Sequence, residues 1–328
     1  MLKTVAITGG GGFIGSYLVR RLVEIGWSVI VIDNMARGDG RRLIDVYNEV
    51  QLIDCDIRDE DRVTAAIHGC EVVMHLAAIN GTENFYRHPD LVLDVGVRGI
   101  LSVVSACQRA GVPDLVVAST AEVYQEPLII PTPETIALTL PDSLNPRYSY
   151  GGSKIISELI AFNYGRDHFR KVQVFRPHNV YGPDMGWKHV IPQFILRALD
   201  RQGYSDGRKK FLIQGSGNET RAFAYVSDVV DGIIKMYELG GNREIYHIGA
   251  EDEISIKKLA EAIGRILEID LDIIASDSAV GATSRRCPDI SKMRMLGYNP
   301  SVSLDLGLIE TINWYRKNSK YPHANDLM

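Results

Sequence analysis

Through roughly the first half of the chain, apolar runs of strand length alternate with stretches in which apolar residues recur every three or four positions. The runs are Leu2 to Thr8, Ser28 to Ile32, Val50 to Ile53, Glu71 to Leu76 and Leu115 to Ala118. Between them the spacing predicts helices from the first glycine cluster to Gly26, from Asp59 to His68, and from Leu91 to Ala110, the last stopped by Gly111 ahead of Pro113. Pro127 to Pro146 is a proline-rich surface loop, and a further helix opens at Tyr150 and runs to about Phe169. Strands and helices alternating at this pitch predict an α/β fold of Rossmann type, a doubly wound parallel sheet with ligands at the carboxyl ends of its strands.

From Arg176 the regular alternation stops. Val190 to Leu199 reads as a helix, Phe211 to Gln214 as a short strand, and Tyr225 to Leu239 as a strand end and helix returning to the first domain. Ile245 to Ile248 is a further strand, and Ile254 to Leu267 an amphipathic helix with Ser255 as candidate cap. The expected division is a dinucleotide-binding domain of residues 1–176 with 223–248, and a smaller mixed α/β substrate lobe of residues 177–222 with 249–328. The polar tail from Lys317 is expected to be loose.

Composition narrows the partners. Hydrophobic residues make up 45% of the 328 and charged residues 23%, a globular balance with a core of useful size. The formal charge is −5, from 36 basic and 41 acidic residues with no long basic run, so neither nucleic acid nor an anionic membrane is favoured. No stretch has membrane-spanning length, and Met1 leads directly into a core strand, which reads as cytoplasmic. Cys55, Cys70, Cys107 and Cys287 lack ligand spacing, so neither metal nor disulfide is expected; His75, ending an apolar strand, reads as a structural hydrogen-bonder.

The chemistry concentrates at strand ends. Gly9, Gly12 and Gly15 stand at three-residue spacing between a strand and a helix, where a tight turn, close approach of a pyrophosphate and close helix packing each exclude a side chain. The helix N-terminus there suits an anion. Asp33 ends the second strand near the offset of the acid that holds an adenosine ribose, favouring NAD over NADP; Arg37, Arg41 and Arg42 follow, as solvated loop residues or as a softening of that choice. Asp56 and Ile57 either clamp an adenine or serve as helix cap and core. Ala77 and Ala78, after Leu76, leave room for a dinucleotide against the backbone. Ser119 to Tyr124 brings hydroxyls and the Glu122 carboxylate to the crevice, and Tyr150 and Lys154 share one helix face at four-residue spacing. A phenol with reference pKa ~10 becomes a usable base beside an ammonium and a nicotinamide cation, with Thr120 orienting the same alcohol.

Taken together, TGGGGFIGSYLV, DN at 33–34, CDIRD, HLAA, STAEVY, YSYGGSK, FRPHNVYGP, ETRAFAYVSDV, YHIG and RRCPDISK make the chain similar to the extended short-chain dehydrogenase/reductases that act on nucleotide sugars. These include sugar 4-epimerases, 4,6-dehydratases and uronate decarboxylases. The resemblance implies NAD held by Gly9, Gly12, Phe13, Ile14, Gly15, Asp33, Asn34, Asp56, Ile57, Leu76, Ala77, Ala78, Tyr150 and Lys154. It implies a sugar C4 hydroxyl between Thr120 and Tyr150, a nucleotide diphosphate contacted by Asn179 and clamped by Arg221 and Arg286, and a homodimer bundled through Leu91 to Ala110 and Tyr150 to Phe169. Guanidinium groups suit that clamp because they bind diphosphate oxygens in a bidentate fork and stay charged.

Measured against that family, Gly96 replaces a common Asn, His247 stands in a usual Tyr-Asn-x-Gly, and Gln125 replaces a common Gly. Ala121 cannot supply the acid that 4,6-dehydratases place before their Glu, whereas Glu122 persists where plain 4-epimerases often carry a hydroxyl. The expected activity is an NAD-dependent nucleotide-sugar epimerase working through a 4-keto sugar. Dehydration or uronate decarboxylation using Glu122 is the alternative, the latter needing a cation for the carboxylate. A non-catalytic dinucleotide-binding protein is the reading from outside enzymology.

Overall fold

The structure, a computed structural model, describes residues 3–200, 203–205, 207–277 and 283–318. Leu2 and the tail beyond Asn318 lie outside the described residues. Five near-continuous apolar runs form β1 (Thr4–Thr8), β2 (Ser28–Ile32), β3 (Val50–Ile53), β4 (Val72–His75) and β5 (Asp114–Ala118), followed by β6 (Lys171–Pro177). With the strand Glu244–Ile248 they make a seven-stranded parallel sheet, ordered from that strand through β6, β5, β4, β1 and β2 to β3. Winding reverses between β1 and β4, so a crevice opens at their carboxyl ends. This is the Rossmann-type fold expected.

Helices cover both faces, which is why the strands carry apolar residues on both sides. On one face α1 (Phe13–Glu24) packs with the helix Val226–Leu239; on the other lie α2 (Glu60–Ala66), α3 (Thr82–Arg87), α4 (Pro89–Leu93), α5 (Gly99–Ala110) and α6 (Ser149–Asn163). A third core joins the helices Val190–Leu199, Ile256–Leu267 and Leu304–Asn318 to the strands Arg208–Gln214 and Leu271–Ser276. Among the described residues no helix is long and apolar enough to cross a membrane.

Two helices differ from expectation. Leu91 to Ala110 is not one α-helix: α4 and α5 are joined by a π turn over Asp94–Arg98. The cause is close packing, since a Cβ on Gly96 would meet Ser153 Cβ at 2.6 Å and one on Gly99 would meet Ile57 Cδ1 at 2.4 Å. The wider turn leaves the Gly96 carbonyl to accept from Ser157 Oγ at 3.2 Å. The helix expected to reach Phe169 ends at Asn163, because the Phe169 ring folds over Gly165, where a Cβ would lie 2.2 Å from it. Ile254 belongs to a short strand, Glu253–Ser255, and Ser255 Oγ caps the following helix by accepting from Lys258 N at 3.2 Å. His75 is buried and bonded to Thr8 Oγ1 at 2.8 Å.

A buried ion pair ties the strand ends together. Arg176, at the end of β6, donates to Glu158 of α6 through Nε at 2.8 Å and Nη2 at 2.6 Å, and its Nη1 reaches the Tyr124 hydroxyl. Tyr124 in turn donates to His247 Nε2 at 2.6 Å, the tautomer set by His247 Nδ1 donating to the Asp289 carbonyl at 3.1 Å. Replacing Glu158 with Gln strands the Arg176 charge and is expected to cost about 3–5 kcal/mol of stability. The urea midpoint should fall with an unchanged slope, and replacing both partners with apolar side chains should recover most of the loss.

Candidate active site

The crevice begins at the glycine turn between β1 and α1. Gly9 has φ +73°, and a Cβ there would meet Ala77 N at 2.7 Å; a Cβ on Gly15 would meet the Gly9 carbonyl at 2.1 Å. The chain therefore passes close to the end of β4 with no side chain intervening. Asp33, at the end of β2, accepts from Gly11 N and Met35 N, both at 2.9 Å; burial nevertheless holds its carboxyl above the usual range. All fourteen residues expected to contact the dinucleotide line one cavity of about 240 Å³. Asp56 is fixed by its own neighbour, accepting from Arg58 N, Nε and Nη2, while Asp59 caps α2.

That cavity opens into a second of about 710 Å³, and Tyr150 belongs to the walls of both. Tyr150 is buried and stacks on Phe85 with ring centroids 5.3 Å apart. Burial pushes its phenol up to about 12, Glu122 adds to the rise, and the Thr120 hydrogen bond and the Arg37 charge oppose it. Lys154 donates to the Ala118 carbonyl at 2.8 Å with its Nζ 5.9 Å from the Tyr150 ring centroid; burial pulls its ammonium down to about 8 against the pull of Glu158. Thr120, Tyr150 and Lys154 thus converge where the cavities meet, the arrangement a proton transfer from a bound alcohol requires.

Glu122 lies in the wall of the larger cavity and accepts from Arg286 Nη1 at 2.7 Å. Burial alone would raise its carboxyl, but the charges of Arg286, Arg147 and Arg221 hold it below the usual range, so it stays ionised. Arg221 and Arg286 are register partners on the parallel strands Thr220–Ala222 and Arg285–Arg286. Their surroundings differ. Arg286 and Asn179 line the cavity, whereas Arg221 donates to the carbonyls of Thr220 and Thr283, and burial together with Arg286 pulls its guanidinium down to about 10. Asn179 donates to the Ala222 carbonyl at 3.0 Å.

Sequence reasoning missed Arg147. It lies one helical turn ahead of Tyr150, in the short turn Pro146–Tyr148, and its Nε, like that of Arg286, is buried with no hydrogen-bond partner. The three-residue spacing to Tyr150 was the available signal. Phe85 and His189 were also missed, because α3 and the stretch that follows FRPHNVYGP carry no motif.

Residues 5–249 match the model of the NAD-dependent epimerase/dehydratase family. The chain belongs to that family. Across 97% of its length it is 31% identical to 99% of the UDP-N-acetyl-alpha-D-glucosaminuronate decarboxylase of Bacillus cytotoxicus. It is also similar in structure to the UDP-glucose 4-epimerase of Thermotoga maritima solved with UDP-glucose, at TM-score 0.86 and 29% identity over 96% of this chain and 99% of that one. The dTDP-glucose 4,6-dehydratase of Streptomyces venezuelae, solved with NAD bound, superposes at TM-score 0.85 with 28% identity over 97% and 98%. Family membership makes the chain an NAD-dependent enzyme, and the glycine cradle, which any Cβ would fill, fits that cofactor.

The Lys154 shift carries a pH signature. Between about 8 and 10.5 the unfolded chain holds a proton on this lysine that the folded chain has released, so stability rises with pH across that window. Thermal melts of the nucleotide-free protein should show the rise, and Lys154→Met should remove it. Tyr150→Phe should abolish reduction of bound NAD by a nucleotide sugar while nucleotide-sugar binding stays within about threefold, since only the proton acceptor is lost.

Proposed function

We propose that this chain oxidises the C4 hydroxyl of a nucleotide-diphosphate uronate, lets the resulting 4-keto acid lose carbon dioxide, and reduces the ketone again. The observation that carries the reading is the excess of guanidinium charge around Glu122: Arg286, in the same cavity wall, and Arg147 and Arg221, outside it, all act on Glu122, and among the described residues the Nε atoms of Arg147 and Arg286 are buried without partners. Guanidinium charge gathered around one carboxylate favours a second anion beside it, and a carboxylate on C6 of the sugar would supply it. The likeness to a uronate decarboxylase over nearly the whole length of both chains supports the same reading.

In this reading Gly9, Gly12, Phe13, Ile14 and Gly15 hold the dinucleotide backbone, Asp33 and Asn34 its ribose, and Asp56, Ile57, Leu76, Ala77 and Ala78 the adenosine side of the groove. NAD, when bound, takes the C4 hydride and later returns it. Tyr150 takes the hydroxyl proton, helped by the Thr120 hydrogen bond and by Lys154, and Thr120 keeps the alcohol aligned. Oxidation makes C6 the carboxyl of a β-keto acid: the C5–C6 bond breaks, its electron pair passes to the C4 oxygen, and Tyr150, now a phenol, faces that oxygen. A proton then replaces the carboxyl at C5. Asn179 and Arg221 serve the diphosphate end. Residues 1–176 with 223–248 act as the NAD-binding part and the remainder as the sugar-nucleotide lobe, and the enzyme works as a homodimer through α5 and α6.

Epimerisation at C4 is the second reading, and a specific observation favours it. Arg286 is already engaged by Glu122 at 2.7 Å, which leaves less free charge for a uronate, and epimerisation needs no group beyond Thr120, Tyr150 and Lys154. Dehydration finds less support, because Ala121 offers no acid.

A panel of nucleotide hexoses and uronates incubated with protein and NAD, followed by mass spectrometry with chromatography, separates these readings. Loss of carbon dioxide from a uronate is the expected result. A product of unchanged mass and altered retention moves the assignment to epimerase. Arg147→Met should lower kcat/KM for the uronate by about ten- to a hundredfold, the worth of one buried charged hydrogen bond, and leave turnover of a neutral hexose, if any, untouched.

A further inference from the structure

Three arginines follow Asp33, and the structure disposes of each differently. Arg41 forks onto Asp39, with contacts between 2.6 and 3.1 Å. Arg37 faces the catalytic end, where its charge acts on Tyr150 and His189. Arg42 stays at the ribose end: it lines the dinucleotide cavity, and its charge acts on Asp33. One residue links the two, because Gly11 gives its N–H to Asp33 at 2.9 Å and its carbonyl to Arg42 Nη1 at 3.4 Å. A guanidinium one residue away from the ribose acid is well placed to meet a 2′-phosphate.

Asp184 prevents this. It comes from the segment after β6, far off in sequence, and grips Arg42 with both carboxylate oxygens, Oδ2 to Nε at 3.0 Å and Oδ1 to Nη2 at 3.1 Å; its carbonyl takes Nη2 as well at 3.1 Å. The pair is largely buried, with Arg42 6% and Asp184 17% exposed, so solvent screens it little. Asp184 holds φ +62°, a left-handed conformation that a non-glycine residue adopts only when its surroundings hold it there.

We propose that Asp184 is a cofactor-specificity determinant: by holding Arg42 it denies the ribose end a cation for a 2′-phosphate and so enforces the preference for NAD that Asp33 begins. The two acids act in different ways. Asp33 repels the phosphate directly, while Asp184 removes the counter-charge that would offset the repulsion. The inference rests on the family's use of NAD and not on which sugar reaction follows, so it can be tested by binding alone.

The test is titration calorimetry of the full-length protein, freed of nucleotide, with NAD and with NADP. Asp184→Asn keeps the shape and tolerates the left-handed backbone, and Asp184→Gly is the second variant should the first fold poorly. Either is expected to tighten NADP binding by about tenfold or more while the Kd for NAD stays within about threefold, the scale of one released charge pair near a phosphate. Adding Arg42→Met to either variant should abolish the gain. An unchanged Kd for NADP, a parallel weakening of both nucleotides, or a gain that survives Arg42→Met would each overturn the proposal, since those are the marks of a loop anchor with no say in cofactor choice.

Discussion

Burying a guanidinium is costly unless a matching charge and acceptors go with it, and the position of Arg176 at the end of β6 imposes that demand on the carboxyl edge of the sheet. Its requirements are met by Glu158 from α6, the Tyr124 hydroxyl from the turn after β5, and the Glu134 carbonyl from the proline-rich loop. Through Tyr124 the demand extends to His247 on the last strand of the sheet, and through Asp289 to the segment that carries Arg286. Glu158 also accepts from Ser119 at 2.5 Å, next to Thr120. The end of β5, helix α6 and the segment that carries Arg286 are therefore indexed to one buried charge.

That indexing sets the electrostatics of the site. Glu158 is one turn beyond Lys154 on α6 and pulls the lysine toward its charged form, while burial pulls the other way. Tyr150 sits one turn before Lys154, where burial raises its phenol and Thr120 lowers it. Desolvation displaces both groups toward neutrality; Glu158 opposes it at Lys154 and Thr120 at Tyr150, while Glu122 adds to the rise of the phenol, so the phenol needs a further positive charge beside it to act as a base. A site of this kind needs its scaffold rigid, which is the service the Arg176 network performs.

Much of this was legible in the sequence, for physical reasons. Strands buried on both faces must read as apolar runs, and the glycines at 9 and 15 are forced by backbone contacts that any side chain would violate, with a tight 3.1 Å approach at Gly12. The other residues expected at the dinucleotide came largely from the family resemblance, and all of them line a single cavity with these glycines. The π turn at Asp94–Arg98 was not legible, because it depends on Gly96 meeting Ser153 from a helix some fifty residues away. Arg147 was not legible because its charge reaches Glu122 from a short turn ahead of α6 that carries no motif of its own. The different employments of Arg221 and Arg286, register partners on adjacent strands, depend on loop carbonyls that no spacing rule anticipates.

Fold and family leave the reaction open because epimerase, dehydratase and decarboxylase share the oxidation at C4; what differs is how the cavity receives C5 and C6. Here the cavity wall holds the ionised Glu122 paired with Arg286, with the charges of Arg147 and Arg221 acting on it from outside the wall. Among the described residues the Arg147 and Arg286 Nε atoms are buried and unpaired, a penalty of about 1–3 kcal/mol for each. On the uronate reading a second carboxylate would be held by the guanidinium charge that already acts on Glu122. Since 1.4 kcal/mol is about a factor of ten in rate or affinity, one charged hydrogen bond of about 1.5–3 kcal/mol from Arg286 to such a carboxylate would separate a uronate from a neutral hexose by about one to two orders of magnitude.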